Sequence, residues 1–326
     1  MPSNDTQTGF KPESYPLKNR FFQGGMASGF TGINTTAGPI HLADNEASNL
    51  QNIDFNKFGS IVKRGGYTAL NTSELNSGAS CDGLYWYEFV SGTTTTRYAV
   101  NISGGKMYYM DSLDGTWNDI TGSTTITTGN HCDFESFLNT VYVTNGKNQP
   151  WQWGGSGDAT SIPALNANSY TFIVTGVITP PSVGDTYQNN GVTFTVLYAD
   201  SGHIIATGSS APMVAGNLVR VTGSGDSVIT FSAYNFNANI ESAKFVAQFA
   251  NYLFFANVVV SGTTYKTRIY WSNLQDPTTF VASNWLEVAM NDGQEITGLG
   301  VLSDRLVVYK TRSIYAVFYS GKIGRA

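Results

Sequence analysis

Charge is what this chain has least of. Asp, Glu, Lys and Arg make up 13% of its 326 residues while hydrophobic residues make up 41%, so its surface has to rest on uncharged polar groups. Gly, Ser, Thr and Asn supply them, a composition that suits a β-rich structural protein better than a helical cytosolic enzyme. Basic residues are also outnumbered: 18 Lys and Arg stand against 23 Asp and Glu, a net charge of −5, which is not the electrostatic footprint of a protein that grips duplex DNA. The two cysteines, Cys81 and Cys132, lie far apart and give no disulfide framework, so both are expected to be reduced, packed thiols. Three histidines, His41, His131 and His203, have no Cys, Asp or Glu at metal-motif spacing, and no metal site is expected. No glycine-rich phosphate loop ends in Lys-Ser or Lys-Thr, and Gly154-Gly155-Ser156-Gly157 reads as a plain loop. No apolar run approaches the roughly 20 residues that span a bilayer, and the N-terminus lacks the apolar core of a signal peptide. No cofactor and no membrane insertion are expected.

What the chain does have is repetition. Phe137–Asn145, Phe249–Asn257 and Leu302–Lys310 align without gaps, each an apolar residue, a short Asn or Asp turn and a strand; Arg97–Ile102 is a degenerate fourth copy. A second apolar strand follows each: Lys106–Met110, Pro150–Trp153, Arg268–Trp271 and Ser313–Phe318. A further strand precedes each: Gly83–Phe89, Cys132–Phe137, Lys244–Phe249 and Ile296–Val301. A more polar fourth strand closes the first three units at Trp117–Ile120, Ser161–Ala164 and Trp285–Val288. The copies recur at roughly 40 to 50 residues, the period of four-stranded β-propeller blades. The interval from Val143 to Phe255 is more than twice too long. Residues 168–234 account for the excess: they carry their own strands, with turn signals at Asn189-Asn190-Gly191 and Gly223-Ser224-Gly225, and read as an inserted small β-sandwich or barrel of about six strands. The middle strands are apolar on both faces, Leu253 and Phe255 on one, Tyr252 and Phe254 on the other, so each sheet must be covered on both sides.

The expected fold is therefore all-β, a propeller-like array of four visible blades over 25–167 and 235–326, interrupted by the module at 168–234 and preceded by a polar, proline-bearing arm at 1–24. That arm reads either as a segment that folds onto a neighbouring subunit or as a frayed terminus. Asp44, Ala47, Leu50 and Ile53 suggest a short capped helix, and Ile53 to Val62 a hairpin turning at Asn56-Lys57-Phe58-Gly59. The last unit stops at Gly321–Ala326 without a recognisable fourth strand. Either the ring closes with a strand such as Ser60–Arg64, or the chain is part of a longer product.

Catalytic constellations are weak. Ser112-Leu113-Asp114-Gly115-Thr116-Trp117 nearly matches the Asp-box turn of sialidase-like propellers, but two residues of that box are missing and an Asp-Gly turn packing Trp117 explains it. Asp54, Glu88, Asp133, Glu135, Glu241 and Glu287 are scattered, and no two are paired by the sequence as glycoside hydrolysis requires. His131-Cys132-Asp133 is best read as strand, with its middle side chain opposed to its neighbours. Trp151, Trp153, Trp271 and Trp285 fit either inter-blade packing or a carbohydrate groove, and Lys63-Arg64 and Lys310-x-Arg312 read as solvated strand ends. No catalytic, cofactor-binding or metal-binding residue is assigned, and an enzyme is not expected.

Leu42-x-Asp44-Asn45-Glu46-Ala47, Leu50-Gln51-Asn52-Ile53-Asp54-Phe55, Gly59-Ser60 and Lys63-Arg64-Gly65-Gly66-Tyr67 together resemble the start of tail nozzle and hub proteins of double-stranded DNA bacteriophages. The run Val183–Tyr198 likewise resembles modules inserted in phage virion proteins. The resemblance implies a structural virion protein assembled in the host cytoplasm. It implies a homohexameric ring below the portal, with an axial channel that passes genomic DNA without sequence-specific binding and an outer surface that holds fibres or other tail parts. The alternative is a carbohydrate-binding or glycan-cleaving propeller at the bacterial surface.

Overall fold

The structure is a computed structural model that describes residues 32–36, 41, 46–47, 49, 53–57, 60–63, 71, 74–111, 115–212 and 215–319. The chain divides into two compact units, Met1–Ala69 and Leu70–Ala326. The fold is all-β, with no α-helix among the described residues.

In the first unit, β1 (Gly32–Ile33) pairs in parallel with β2 (Glu46–Ala47), and β3 (Ile53–Lys57) pairs antiparallel with β4 (Ser60–Lys63). The hairpin is as expected. The helix is not: Ala47 and Ile53 both lie in strands, while Asp44 and Leu50 fall outside the described residues, as does the arm at 1–24. A helix of two or three turns is marginal by itself, and the backbone of Ala47 is already engaged by Ile33 in β1 and by the Asn34 amide at 2.8 Å. Among the described residues, strand β4 pairs with β3 in a two-stranded sheet.

The second unit holds four antiparallel sheets in which neighbours in sequence are neighbours in space. The first is β5 (Cys81–Ser91), β6 (Thr94–Ser103), β7 (Lys106–Met110) and β8 (Asn118–Asp119). The second is β9 (Asp133–Phe137), β10 (Thr140–Thr144), β11 (Trp151–Trp153) and β12 (Thr160–Ser161). Between the second and third sheets, six strands close into a barrel: β13 (Ser169–Thr175), β14 (Thr186–Asn189), β15 (Val192–Ala199), β16 (His203–Gly208), β17 (Gly216–Thr222) and β18 (Val228–Phe236). The third sheet is β19 (Ile240–Phe249), β20 (Tyr252–Val260), β21 (Thr263–Trp271) and β22 (Trp285–Glu287). The fourth has three strands among the described residues, β23 (Ile296–Leu302), β24 (Arg305–Lys310) and β25 (Ile314–Phe318).

Tight turns set the registers. Leu138-Asn139 and Ala250-Asn251 both take positive φ at two consecutive positions, the mirror-image turn whose twist matches a two-residue hairpin, and Gly104-Gly105 does the same between β6 and β7. The sheets then stack. Val100, Ile102 and Met107 of the first share a core with Val141, Val143, Trp151 and Trp153 of the second. Tyr142 of the second shares one with Leu253, Phe255 and Tyr270 of the third, where Phe280 stacks on Phe255 at 4.8 Å. Phe254, Ala256 and Ile269 of the third meet Leu306, Val308 and Val317 of the fourth. Alternate residues of β10 and β20 thus point to different neighbouring sheets, which is why the middles of these strands are apolar on both faces.

The barrel has a core of its own around Phe172, Phe194, Ile204, Leu218 and Phe231. It is held to the third sheet by buried polar groups: Asn237 Nδ2 donates to Ser169 Oγ at 3.1 Å and Thr171 Oγ1 at 2.9 Å, and Thr279 Oγ1 donates to Thr171 Oγ1 at 3.4 Å.

Candidate functional site

The chemistry-bearing side chains of this chain gather on the seams between stacked sheets. The first strands of successive sheets lie side by side, β9 against β5 and β19, and β19 against β23. Asp133 and Glu135, two residues apart on β9, share the face turned to the third sheet. Asp133 Oδ2 accepts from the Val246 amide at 3.0 Å and Glu135 Oε2 from the Gln248 amide at 3.1 Å, so two carboxylates satisfy the free edge of β19. Each accepts a local amide with its other oxygen, from Phe134 and Ser136. Burial raises both carboxyl pKa values above the ordinary range, and these amide bonds pull back against it.

On the opposite face the second sheet holds the first. Asn139 Oδ1 accepts from the Val90 amide at 3.2 Å and Asn139 Nδ2 donates to the Val90 carbonyl at 2.6 Å, as a paired strand residue would. Tyr87 Oη donates to the Asn139 carbonyl at 2.6 Å, and the hydroxyls of Tyr85 and Ser136 lie 2.9 Å apart. Cys132 turns into the core between the first two sheets, where burial pushes its thiol up to about 12. Cys81, at the start of β5, is exposed, which corrects the expectation of two packed thiols.

The third and fourth sheets are joined by Lys310. Its Nζ donates to the carbonyls of Val288 at 2.9 Å and Ala289 at 3.0 Å and to Asp292 Oδ1 at 2.6 Å, so all three of its protons are used. That hydrogen bond is the main reason the Asp292 carboxyl lies below its ordinary range. The reading of Lys310 as a solvated strand end is therefore wrong: its side chain is fully buried. Arg312 is exposed and Lys63 ends β4, while Arg64 lies outside the described residues.

The other singled-out residues do not converge. Glu88 pairs with Arg97 at 2.8 Å, Glu241 accepts the Gly262 amide, and Glu287 pairs with Arg268 at 2.7 Å. Asp54 is in β3. His41 and His131 are exposed, and His203 lies 3.7 Å from Asp200. Trp151 and Trp153 are buried in the first seam, so these two line no groove, and Trp271 is half-buried. Trp285 is 40% exposed, but the Arg268 guanidinium sits 3.8 Å from its ring centre and 3.5 Å from that of Tyr265. Of the Asp-box near miss, 112–114 lie outside the described residues, and Gly115 turns with φ of 87° beside a half-buried Trp117. Where the barrel meets the third sheet, Asn168, Phe236, Asn237, Val260 and Tyr270 line a cavity of about 140 Å³, which no carboxylate, histidine or cysteine enters.

Sequence reasoning missed Asn139, Asp292 and Arg268. Asn139 and Asp292 carry turn chemistry in the sequence, and their second use, bonding across to another element, leaves no local signal.

No family model matches the chain, and no curated protein matches it. Among solved structures, the computationally designed Ika8 protein aligns with 72% of this chain and 70% of its own at 12% identity and a TM-score of 0.24, a likeness too low to carry an argument.

Proposed function

We propose that this chain is a structural component of a bacteriophage tail, a propeller-based subunit of the nozzle or hub ring below the portal. In this reading the stacked sheets are blades, and their role is mechanical: they hold the shape of a channel through which DNA passes. Copies of the chain form the ring, a homohexamer by resemblance, and portal, adaptor and fibre proteins attach to it. The observation that carries the reading is the use of polar groups along the seams. Asp133, Glu135, Asn139 and Lys310 are spent on backbone groups of neighbouring strands, so they serve rigidity and not a substrate. The segment at 42–67 that carries the family resemblance lies largely outside the described residues, and the reading takes it from the sequence.

The test is mass spectrometry of purified particles together with electron microscopy of the isolated protein. The chain is expected in the particles and as rings at high concentration. A protein absent from particles and monomeric at every concentration overturns the reading.

A further inference from the structure

Asparagine is followed by glycine twice in this chain, at Asn145-Gly146 and Asn190-Gly191. The pair is reactive for a local reason. Glycine has no side chain to shield its amide nitrogen, which can attack the side-chain carbonyl carbon of the preceding asparagine and close a five-membered imide. The fold places the two pairs in opposite situations.

Asn145 is 5% exposed, and its side chain is fully engaged. Its Oδ1 accepts from the amides of Lys147 at 3.0 Å and Asn148 at 2.9 Å, and its Nδ2 donates to Asn148 Oδ1 at 2.9 Å. The Gly146 amide, which would be the nucleophile, donates to the Ala243 carbonyl of β19 at 2.7 Å. Both reacting groups are therefore held. Asn190 and Gly191 form the exposed tip of the hairpin between β14 and β15, with φ of 51° and 80°. The last pair of that ladder is Asn189 with Val192, so the Gly191 amide lies outside it. No hydrogen bond among the described residues holds the Asn190 carboxamide. Apart from its chain neighbours, no heavy atom lies within 4 Å of where a side chain on Gly191 would begin, so this peptide has room to turn.

We propose that Asn190 is a site of spontaneous modification, converted in the folded protein to isoaspartate and aspartate while Asn145 is preserved. The Gly191 nitrogen gives up its proton to hydroxide and bonds to Asn190 Cγ. The bond from Cγ to Nδ2 breaks, and ammonia leaves with a proton taken from water. Water then opens the imide. Attack at the former side-chain carbonyl gives aspartate; attack at the backbone carbonyl gives isoaspartate, in which the chain runs through the side chain and is one backbone atom longer. Water is the only reactant consumed, and nothing is oxidised or reduced. A two-residue mirror-image turn has no place for the added atom, so isoaspartate loosens the hairpin of β14 and β15. The inference rests on the two turns alone and is independent of the tail reading.

The test is to incubate the full-length chain at mildly alkaline pH, folded and in parallel in guanidinium. Peptide mapping by mass spectrometry follows the exchange of amide for acid at both sites, and electron-transfer fragmentation separates isoaspartate from aspartate. In guanidinium both sites are expected to convert at similar rates. In the folded protein Asn190 converts, while Asn145 lags by about a hundredfold or more, because its turn must first open and break four hydrogen bonds. Asn190→Gln, which would have to close a six-membered ring, is expected to stop conversion at the hairpin. Asn145 keeping pace with Asn190 in the folded protein overturns the proposal. So does an Asn190 that stays intact when folded, or a difference in guanidinium as large as that in the folded protein. Its failure leaves the particle test of the tail reading untouched.

Discussion

The barrel and the stacked sheets dispose of their strand faces and edges in opposite ways. In the barrel, burial alternates: Phe194 and Val196 of β15 point in while Thr193 and Thr195 point out, and closure leaves no edge. In the stack, β20 is buried at six consecutive positions from Leu253 to Val258, because its two faces serve two different neighbours. The barrel is thus self-sufficient in both core and hydrogen bonds. Each sheet of the stack depends on the next, through apolar packing in the middle and through borrowed side chains at its edges. Rigidity in the stack comes from that dependence.

The strongest way to break this comparison is to empty one core at a time. Phe255→Ala and Phe194→Ala each remove a fully buried ring and are expected to cost about 4 kcal/mol locally. All six tryptophans lie outside Ser169–Phe236, so tryptophan fluorescence reports the sheets and is blind to the barrel. Phe255→Ala is expected to shift the urea midpoint seen by tryptophan, while Phe194→Ala leaves that midpoint in place and lowers only the circular-dichroism transition of the barrel. A tryptophan midpoint that moves with Phe194→Ala means that the buried Asn237, Ser169 and Thr171 contacts join barrel and stack into one cooperative unit.

A smaller effect is expected at the seam between the third and fourth sheets. Lys310→Met keeps the length of the side chain but leaves the Val288 and Ala289 carbonyls without their donor, and is expected to lower stability by about 3 kcal/mol. Guanidinium titration followed by tryptophan fluorescence measures it. A loss under about 0.5 kcal/mol, the range of an ordinary surface change, would mean that these sheets are joined by packing alone.

Much of this was legible beforehand, for identifiable reasons. The strands of the four sheets follow from apolar runs such as Leu253–Phe255 punctuated by Asn turns such as Asn139 and Asn251, because the turn chemistry and the two-sided burial are both local in sequence. The strand at Glu46–Ala47 was not, since Gly32–Ile33 decides it from a distance and the apolar spacing of Ala47, Leu50 and Ile53 suits a helix equally well. Nor was the employment of Lys310: a lysine at a strand end looks solvated until Val288, Ala289 and Asp292 are brought around it. The partners of Asp133 and Glu135 lie more than a hundred residues away, beyond the barrel, so nothing near them in sequence announces what they hold.

Those two carboxylates give the smallest and most discriminating change. Asp133→Ala or Glu135→Ala leaves the Val246 or Gln248 amide unpaired and is expected to cost about 2 kcal/mol. Asp133→Asn with Glu135→Gln removes the buried charge and keeps one acceptor oxygen at each site for the cross-strand amide, at the loss of the second acceptor used by the Phe134 or Ser136 amide at every pH. Because burial raises both folded-state pKa values, the stability these groups contribute is present below the ordinary carboxylate range and lost as pH rises through the raised values. The stability of the double variant relative to the parent should therefore rise with pH, from low pH, where the parent's carboxyls are protonated, to neutral pH. Asp292 titrates in the opposite sense, its stabilising effect being lost as pH falls, but it is common to both proteins and drops out of their difference. Melting temperatures of parent and double variant across the carboxylate range decide the matter: curves that run parallel would show that the charge on the seam is without consequence, and that the stack is held as the barrel is, by its core.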